Sequence, residues 1–394
     1  MIHPAPTRLF TRAFGILSAA TLAYFVADGL TLPTAPRFAA GPLGADSVGV
    51  GLSIGAFSAT ALLLRPWTGQ LSDRYGRRPM ILAGSAMLTA ALLLHVVAVN
   101  LAIFAAARLL MGAAEAFVFV AAFAAAADLA PEDRQGEALS YFSLTLYLGI
   151  GIGPPIGETI LAAGGFNAVW VAAAGIAVVA GLLALGVPDT RAANDREPHP
   201  MRLLHPRGIL PGLVLLAGGW GMAGYFAFVP LYALHLGLEG AAPYLSVYAA
   251  VVIGLRVLGA KLPDRIGARR LSGTAMLVAA AGLLIIGLWG EPAGLLVGTA
   301  LFATGVAFMF PALSLLVVSS VPDSERGAAL GTYTAFLDVA FGLGPVAFGL
   351  VVGSWGYGAS FVTGAAVAVA GAALLIVETR PQSPSARKVS TISS

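Results

Sequence analysis

Charge is what this chain has least of. Of its 394 residues only 10% are Asp, Glu, Lys or Arg, while 58% are hydrophobic. A soluble domain covers its surface with about a quarter of its residues charged, so this chain cannot face water on all sides. Cysteine is absent, which excludes disulfides, iron–sulfur clusters and Cys-ligated zinc. The five histidines are scattered, with no metal-ligand spacing. There is no phosphate-binding loop and no nucleophile constellation. The glycine-rich run Gly149–Gly157 sits inside an apolar segment rather than after a strand, where a nucleotide site is not expected. No metal, no cofactor and no enzymatic chemistry follow from these residues.

What the sequence does have is apolar length. Apolar runs fall at 13–32, 47–70, 79–98, 101–127, 137–163, 167–187, 208–235, 243–262, 271–289, 293–319, 327–352 and 356–377. A spanning helix takes roughly 20 apolar residues, so each run can cross a bilayer with some tilt. The expectation is an all-α polytopic membrane protein with twelve transmembrane helices. The first run lacks a small-x-small cleavage site followed by a polar region, and reads as a permanent span rather than a signal peptide.

Arginine and lysine placement sets an expected orientation. Arg8 and Arg12, then Arg74, Arg77 and Arg78, then Arg134 fall on one side of alternating spans. Arg191, Arg196, Arg202 and Arg207 join them, as do Lys261, Arg265, Arg269, Arg270, Arg326 and Arg380. The other side has only Arg37. That asymmetry accounts for the isoelectric point near 9.3 without nucleic acid, and places both termini in the cytoplasm. The polar stretch around Pro188–Arg207 divides the spans evenly. The expected organisation is a six-helix bundle over 1–187, a cytoplasmic linker over 188–207, a second bundle over 208–380, and a disordered polar tail over 381–394.

The two halves match at an offset of 191 residues. That offset places Asp73, Arg74 and Gly76 on Asp264, Arg265 and Gly267, and Arg65 on Arg256. It also places Pro131 on Pro322, Gly136 on Gly327, and Gly151, Gly153 and Pro154 on Gly342, Gly344 and Pro345. Six spans separate equivalent positions, so the halves share one orientation. Such a parallel repeat, about an axis along the membrane normal, puts a substrate site between the halves.

The motif Gly69-Gln70-Leu71-Ser72-Asp73-Arg74-Tyr75-Gly76-Arg77-Arg78-Pro79 lies between the second and third spans, with a degenerate copy at Lys261–Arg270. Glycine ends a helix at positive φ, and arginines hold a loop against anionic headgroups. This G-x-L-x-D-R-x-G-R-R pattern resembles the signature of the major facilitator superfamily. The resemblance covers the whole chain and implies two pseudo-symmetric six-helix bundles working by alternating access. It also implies that Asp73 makes an inter-helix charge contact supported by Arg74 and Arg77, with Gly69, Gly76, Arg78, Asp264 and Arg265 completing the gating turns.

Two further stretches extend the resemblance to drug/proton antiporters. Arg108-x-x-x-Gly112 lies in span four, with Glu115 two turns further along the same face. An intramembrane arginine faces a partner or a wet cavity, and a similar arginine in those antiporters is associated with proton coupling. A structural ion pair is the alternative. Gly149-Ile-Gly151-Ile-Gly153-Pro154-Pro155-Ile-Gly157-Glu158 resembles the antiporter motif of span five, where glycines allow close approach and Pro154 allows bending. The chain departs from that motif at its end, where Glu158 replaces a glycine. Glu158 either lines an outer cavity or reaches the outer headgroups.

Asp28 in span one and Asp338 in span eleven complete the proton-coupling candidates with Arg108 and Glu115, each weighed against a buried structural contact. Arg65 and Arg256 read as snorkelling or bracing the signature turns, and His95 and His235 as interfacial. Tyr24, beside Asp28, together with Glu158, Trp220, Tyr225, Phe228 and Tyr232, are the cavity candidates. The span-seven aromatics suit apolar or cationic ligands, or simply face lipid. The expected function is a proton-coupled exporter of small lipophilic or amphipathic compounds in a bacterial inner membrane. A sugar or organic-anion porter, importer or uniporter is the alternative. The expected partners are a small-molecule substrate, protons and the lipid bilayer, with the chain a monomer and no nucleic acid bound.

Overall fold

The computed structural model describes residues 9–131, 134–190, 205–259, 262, 266–322 and 325–377, and none of these lies in a β-strand. Asp264 and Arg265 of the second signature copy, linker residues 191–204 and the tail from 378 onward lie outside the described residues. The helices are α1 (Arg12–Gly29), α2 (Thr31–Ala40), α3 (Ser47–Tyr75), α4 (Arg77–Val96), α5 (Leu101–Asp128), α6 (Gln135–Ala184), α7 (Pro206–His235), α8 (Ala242–Leu258), α9 (Ala268–Leu288), α10 (Pro292–Ser319) and α11 (Arg326–Val377). Short polar side chains start several of them by accepting a free backbone N–H. Thr11 Oγ1 takes Phe14 N at 3.2 Å, Asp46 Oδ1 takes Gly49 N at 2.7 Å, and Asn100 Oδ1 takes Ile103 N at 3.0 Å.

Helices α6 and α11 are too long to be single crossings. They hold 50 and 52 residues, about 75 Å at the rise of an α-helix, against roughly 30 Å of hydrocarbon. Each is broken by a glycine: Gly165 at φ 75°, ψ −175° and Gly356 at φ 82°, ψ 174°. That backbone region is open essentially to glycine alone. Nine stretches among the described residues are long and apolar enough to cross a membrane. Two of them, Glu137–Ala184 and Ala329–Leu375, are of double length, and the shorter Ala242–Leu258 adds one more. With α1 and α2 counted together, twelve segments result, the number the sequence led us to expect.

The 191-residue offset is written into the backbone. Helix α5 runs from Leu101 to Asp128 and α10 from Pro292 to Ser319, so both ends repeat. The first residues of α6 and α11, Gln135 and Arg326, repeat too. So do the positive-φ glycines Gly76 with Gly267 and Gly165 with Gly356. In the first half α1 packs on α6 while α3 and α4 pack on α5; in the second, α7 packs on α11, α9 on α10, and α8 on α10. The halves meet through α3 against α11 and α6 against α8. These two contacts are images of each other under the repeat.

Small residues let the helices close up, because helices in lipid gain from packing and not from hydrophobic exclusion. A Cβ at Gly149, Gly153 or Gly157 would strike the backbone of Phe25, Gly29 or Leu30, so the first segment of α6 lies directly on α1. Between the halves, a Cβ at Gly51 or Gly55 would strike the carbonyls of Pro345 and Gly342, and one at Gly349 would strike Ser47. All of these inter-half contacts lie toward the end of the bundle where α3 begins, away from the Gly76 turn. The halves are therefore shut at the Ser47 end.

The break at Gly165 predicts a specific cost. Nothing lies within 4 Å of a Cβ built there, so only backbone strain opposes substitution. Gly165→Ala should destabilise the protein by about 1–3 kcal/mol. Gly175→Ala, in open space inside helix, should be neutral or slightly stabilising. Thermal unfolding of the purified variants compares the two; equal effects would contradict the assigned break.

Candidate functional site

The site grows from the contact between α3 and α5. A Cβ at Gly112 would run into the carbonyl oxygen of Phe57, and Thr60 Oγ1 donates to the Leu109 carbonyl at 2.6 Å. This approach lays Arg108 over the Phe57 ring at 5.2 Å. Arg108 is buried, 7% exposed. Its Nη1 stands 3.5 Å from Thr31 Oγ1 and 3.7 Å from Met111 Sδ, and its Nε has no partner. Thr31 in turn donates to the Asp28 carbonyl at 2.7 Å, which ties Arg108 to the end of α1. The charges acting on the Asp28 carboxylate are those of Arg108 and Glu115. The buried Tyr24 hydroxyl has no partner, and the charges acting on it are Asp28 and Glu115.

Glu115 connects this group to the other half of the molecule. Arg65 Nη2 donates to Glu115 Oε1 at 3.4 Å and stands 3.2 Å from Asp338 Oδ1. Its guanidinium lies over the Phe119 ring at 5.1 Å. One nitrogen on α3 thus holds a carboxylate from its own half and another from α11. The remaining oxygens, Glu115 Oε2 and Asp338 Oδ2, are buried without hydrogen-bond partners. Asp28, Glu115 and Asp338 against Arg65 and Arg108 leave one negative charge over when all are ionised.

The structure thus gathers Tyr24, Asp28, Arg108, Glu115 and Asp338 from the sequence candidates into one neighbourhood. It also adds Arg65, whose place on α3 had suggested only snorkelling or bracing. The link to Asp338 spans 273 positions of the chain, so no local spacing could have revealed it. Arg256 occupies the equivalent place in the second half, over the ring of Tyr147 at 4.5 Å.

The other candidates lie elsewhere. Tyr225, Phe228 and Tyr232 are buried within the second half. The Tyr225 hydroxyl pairs with Thr299 Oγ1 at 2.9 Å and Tyr232 donates to the Ile286 carbonyl at 3.1 Å, while Trp220 is half-buried. His95 lies in the last turn of α4, as its position suggested, but it is fully buried by protein there, with Nδ1 at 2.7 Å from the Ala91 carbonyl and its ring against Phe104 and Trp170. His235 is exposed and stacks near Tyr232 and Tyr357. Two clefts of 540 and 470 Å³ open elsewhere on the surface, one at Ile266–Arg270 and the other along α4. Neither is lined by the charged cluster.

At the signature turn Gly76 takes φ 99°. Arg77 gathers the turn: its Nη1 reaches Asp73 Oδ1 at 2.5 Å and Ser72 Oγ at 3.0 Å, and its Nε reaches Asp128 Oδ2 at 3.3 Å. Asp189 Oδ1 accepts Arg77 N at 3.0 Å. Arg74 lies over the Tyr75 ring, Arg78 is half-buried, and Gly69 has open space around it.

Glu158 does something its sequence gave no sign of. Its carboxylate accepts Ala241 N at 2.7 Å and Ala242 N at 3.0 Å, across the halves at the start of α8. A negative charge is stabilised at a helix N-terminus, and Arg37 Nη1 stands 3.7 Å away. Gly240 leaves the room, since a Cβ there would meet the carboxylate. Nearby, Ser246 Oγ donates to the Gly151 carbonyl at 3.0 Å. Removing Glu158 should loosen this end. In a chain with no native cysteine, Ser246→Cys should react with a water-soluble maleimide about tenfold faster when combined with Glu158→Ala, the factor expected for losing a charge-assisted bond. An unchanged labelling rate would deny Glu158 that role.

A family model described as the Major Facilitator Superfamily matches residues 17–271 and 244–392. An uncharacterised MFS-type transporter of Burkholderia mallei is 31% identical over 395 residues, covering 95% of this chain and 94% of that protein. The uncharacterised MFS-type transporter YhhS of Escherichia coli is 29% identical over 342 residues, 84% of each chain. Among solved structures, a bacterial homologue of the human lysosomal transporter Spinster aligns with TM-score 0.80 at 15% identity, covering 93% of this chain and 96% of that one. The human organic anion transporter MFSD10 aligns with TM-score 0.70 at 21% identity, covering 92% and 99%. With the signature turn, the 191-residue repeat and a family match running through both halves, the chain belongs to the major facilitator superfamily, a multi-pass membrane protein built for transport.

Proposed function

We propose that the protein is a proton-coupled exporter of small lipophilic or amphipathic compounds, working by alternating access in a bacterial inner membrane with both termini cytoplasmic. The observation that carries this reading is the charge imbalance of the buried cluster. Arginine does not lose its proton in proteins, so Arg65 and Arg108 stay positive. Three carboxylates face them, and an uncompensated charge in the membrane interior is expensive. One proton taken up by Asp28, Glu115 or Asp338 makes the cluster neutral.

Proton uptake then has a mechanical consequence. Arg65 holds a carboxylate from each half on one nitrogen. A proton on either carboxylate weakens that side of the bridge, and a ligand shifts a two-state equilibrium only by binding the states unequally. The proton meets that requirement if it is held in one state and released in the other, since the bridge it loosens joins the two halves. With the termini cytoplasmic, the shut Ser47 end faces outward, so cargo approaches from the cytoplasmic side. The likeness of Gly149–Gly157 to an antiporter motif supports export over uptake.

The test is transport in liposomes carrying a pH-sensitive dye, screened with amphipathic fluorescent compounds. A cargo should drive proton flux, and Asp28→Asn or Glu115→Gln should cut coupled flux by about tenfold or more, as loss of a proton-carrying group does in proton-transfer steps. Coupled flux left intact in both variants would sink the assignment of those residues. Cargo movement with no dye response would replace the exporter with a facilitator.

A further inference from the structure

The internal repeat is kept at one intramembrane arginine and abandoned around it. Arg65 and Arg256 are equivalent at the 191-residue offset. Arg65 is neutralised by Asp338 and Glu115. The same offset replaces those two carboxylates by Tyr147 and Val306 around Arg256. The guanidinium is common to both halves, and the two counter-charges are not.

The contacts bear this out. Among the described residues no carboxylate forms an ion pair with Arg256. Its Nε is buried without a hydrogen-bond partner. The Tyr147 ring lies 4.5 Å from its guanidinium carbon, and its charge acts on the buried Tyr248 and Tyr333. A ring beneath a guanidinium occupies its face and leaves the N–H groups along its edge available. That edge is a planar fork, the geometry that grips a carboxylate, sulfonate or phosphate with two parallel bonds. Tyr147 comes from α6 and Arg256 from α8, so the fork stands where the two halves meet, as a cargo site requires.

We propose that Arg256 is an anion-accepting cargo subsite, and that the protein carries an amphipathic organic anion whose acidic group docks on this fork and whose apolar body lies against the half-buried Tyr147. The proposal rests on the transport reading and not on proton coupling. It also gives the two interfaces complementary work. The α3–α11 interface carries surplus negative charge and takes the proton; the α6–α8 interface carries unmatched positive charge and takes the anion.

Equilibrium binding to the purified chain in nanodiscs, with no gradient, tests it. The probes are 1-naphthoate and its neutral counterpart 1-naphthamide, followed by equilibrium dialysis and by the ligand-dependent rise in unfolding temperature. Naphthoate should bind more tightly than naphthamide. Arg256→Gln should weaken naphthoate by about tenfold or more and leave naphthamide unchanged, while Arg256→Lys, which keeps the charge and loses the fork, should fall between. If Arg256→Gln does not fold, Arg256→Lys decides by the same titration. Equal binding of the two probes, no naphthoate binding at millimolar concentration, or naphthoate binding that ignores the Arg256 variants would overturn the proposal. So would loss of binding in Arg108→Gln alone, which would place the anion in the first half. If proton flux fails while Arg256-dependent binding persists, the coupling reading falls and this one stands.

Discussion

An arginine in hydrocarbon must be neutralised, wetted or moved to the interface, and the arrangement of this molecule follows from how that demand is met at Arg65. Its guanidinium comes from α3 and its counter-charges from α5 and α11. Only Glu115 belongs to the same half, so the two bundles must meet at that depth for the charge to be balanced. Balance is incomplete in the other direction, because Arg108 leaves Asp28 and its neighbours one positive charge short. The cluster is held together strongly enough to position its members and left with one unmatched negative charge. A fully matched network would be inert to protons, and an empty one would not couple the halves.

Such a bridge works only if the helices come close, which is the task of the glycines. Gly112 lets α5 lie on the Phe57 carbonyl, and Gly51 and Gly55 let α3 lie on α11. Larger residues at these points would hold the backbones apart and carry Arg65 away from Asp338. Packing at the Ser47 end and the charge contact further along α3 are thus two parts of one contact surface. The latch formed by Glu158 on Ala241 and Ala242 closes the same end through the other pair of helices.

The architecture was legible in the sequence because it rests on local and periodic signals. Twelve apolar runs, one constant offset and the turn at Gly76 each need only a window of neighbouring residues or a single shift of register. The membership of the charged cluster was partly legible, since an ionisable residue in an apolar run stands out wherever it lies: Asp28, Arg108, Glu115 and Asp338 were visible that way. Their partners were not. Arg65 looked like a snorkelling residue because its place near the end of an apolar run is where snorkelling occurs, and the carboxylate from α11 that claims it is distant in the chain. His95 looked interfacial for the same reason, yet Trp170 and Phe104 fold over it. The span-seven aromatics were visible as a group, but burial of Tyr225 against Thr299 and of Tyr232 against a carbonyl depends on the partner helices and not on spacing along α7.

The repeat separates scaffold from mechanism more sharply than either half does alone. Where the halves agree, at Gly76 and Gly267, at Gly165 and Gly356, and at the ends of α5 and α10, the agreement preserves helix lengths and turns. Where they differ, one member of the pair is charged and the other is not. Asp28 and Arg108 stand against Gly219 and Thr299, Glu115 against Val306, Asp338 against Tyr147, and Glu158 against Gly349. Thr299 pairs with the Tyr225 hydroxyl and carries no charge, while its equivalent Arg108 faces Asp28. Two identical halves would present identical interfaces, with no difference of charge between the α3–α11 and α6–α8 contacts. Divergence of the counter-charges around a retained pair of arginines supplies that difference without disturbing the shared frame of helices and turns.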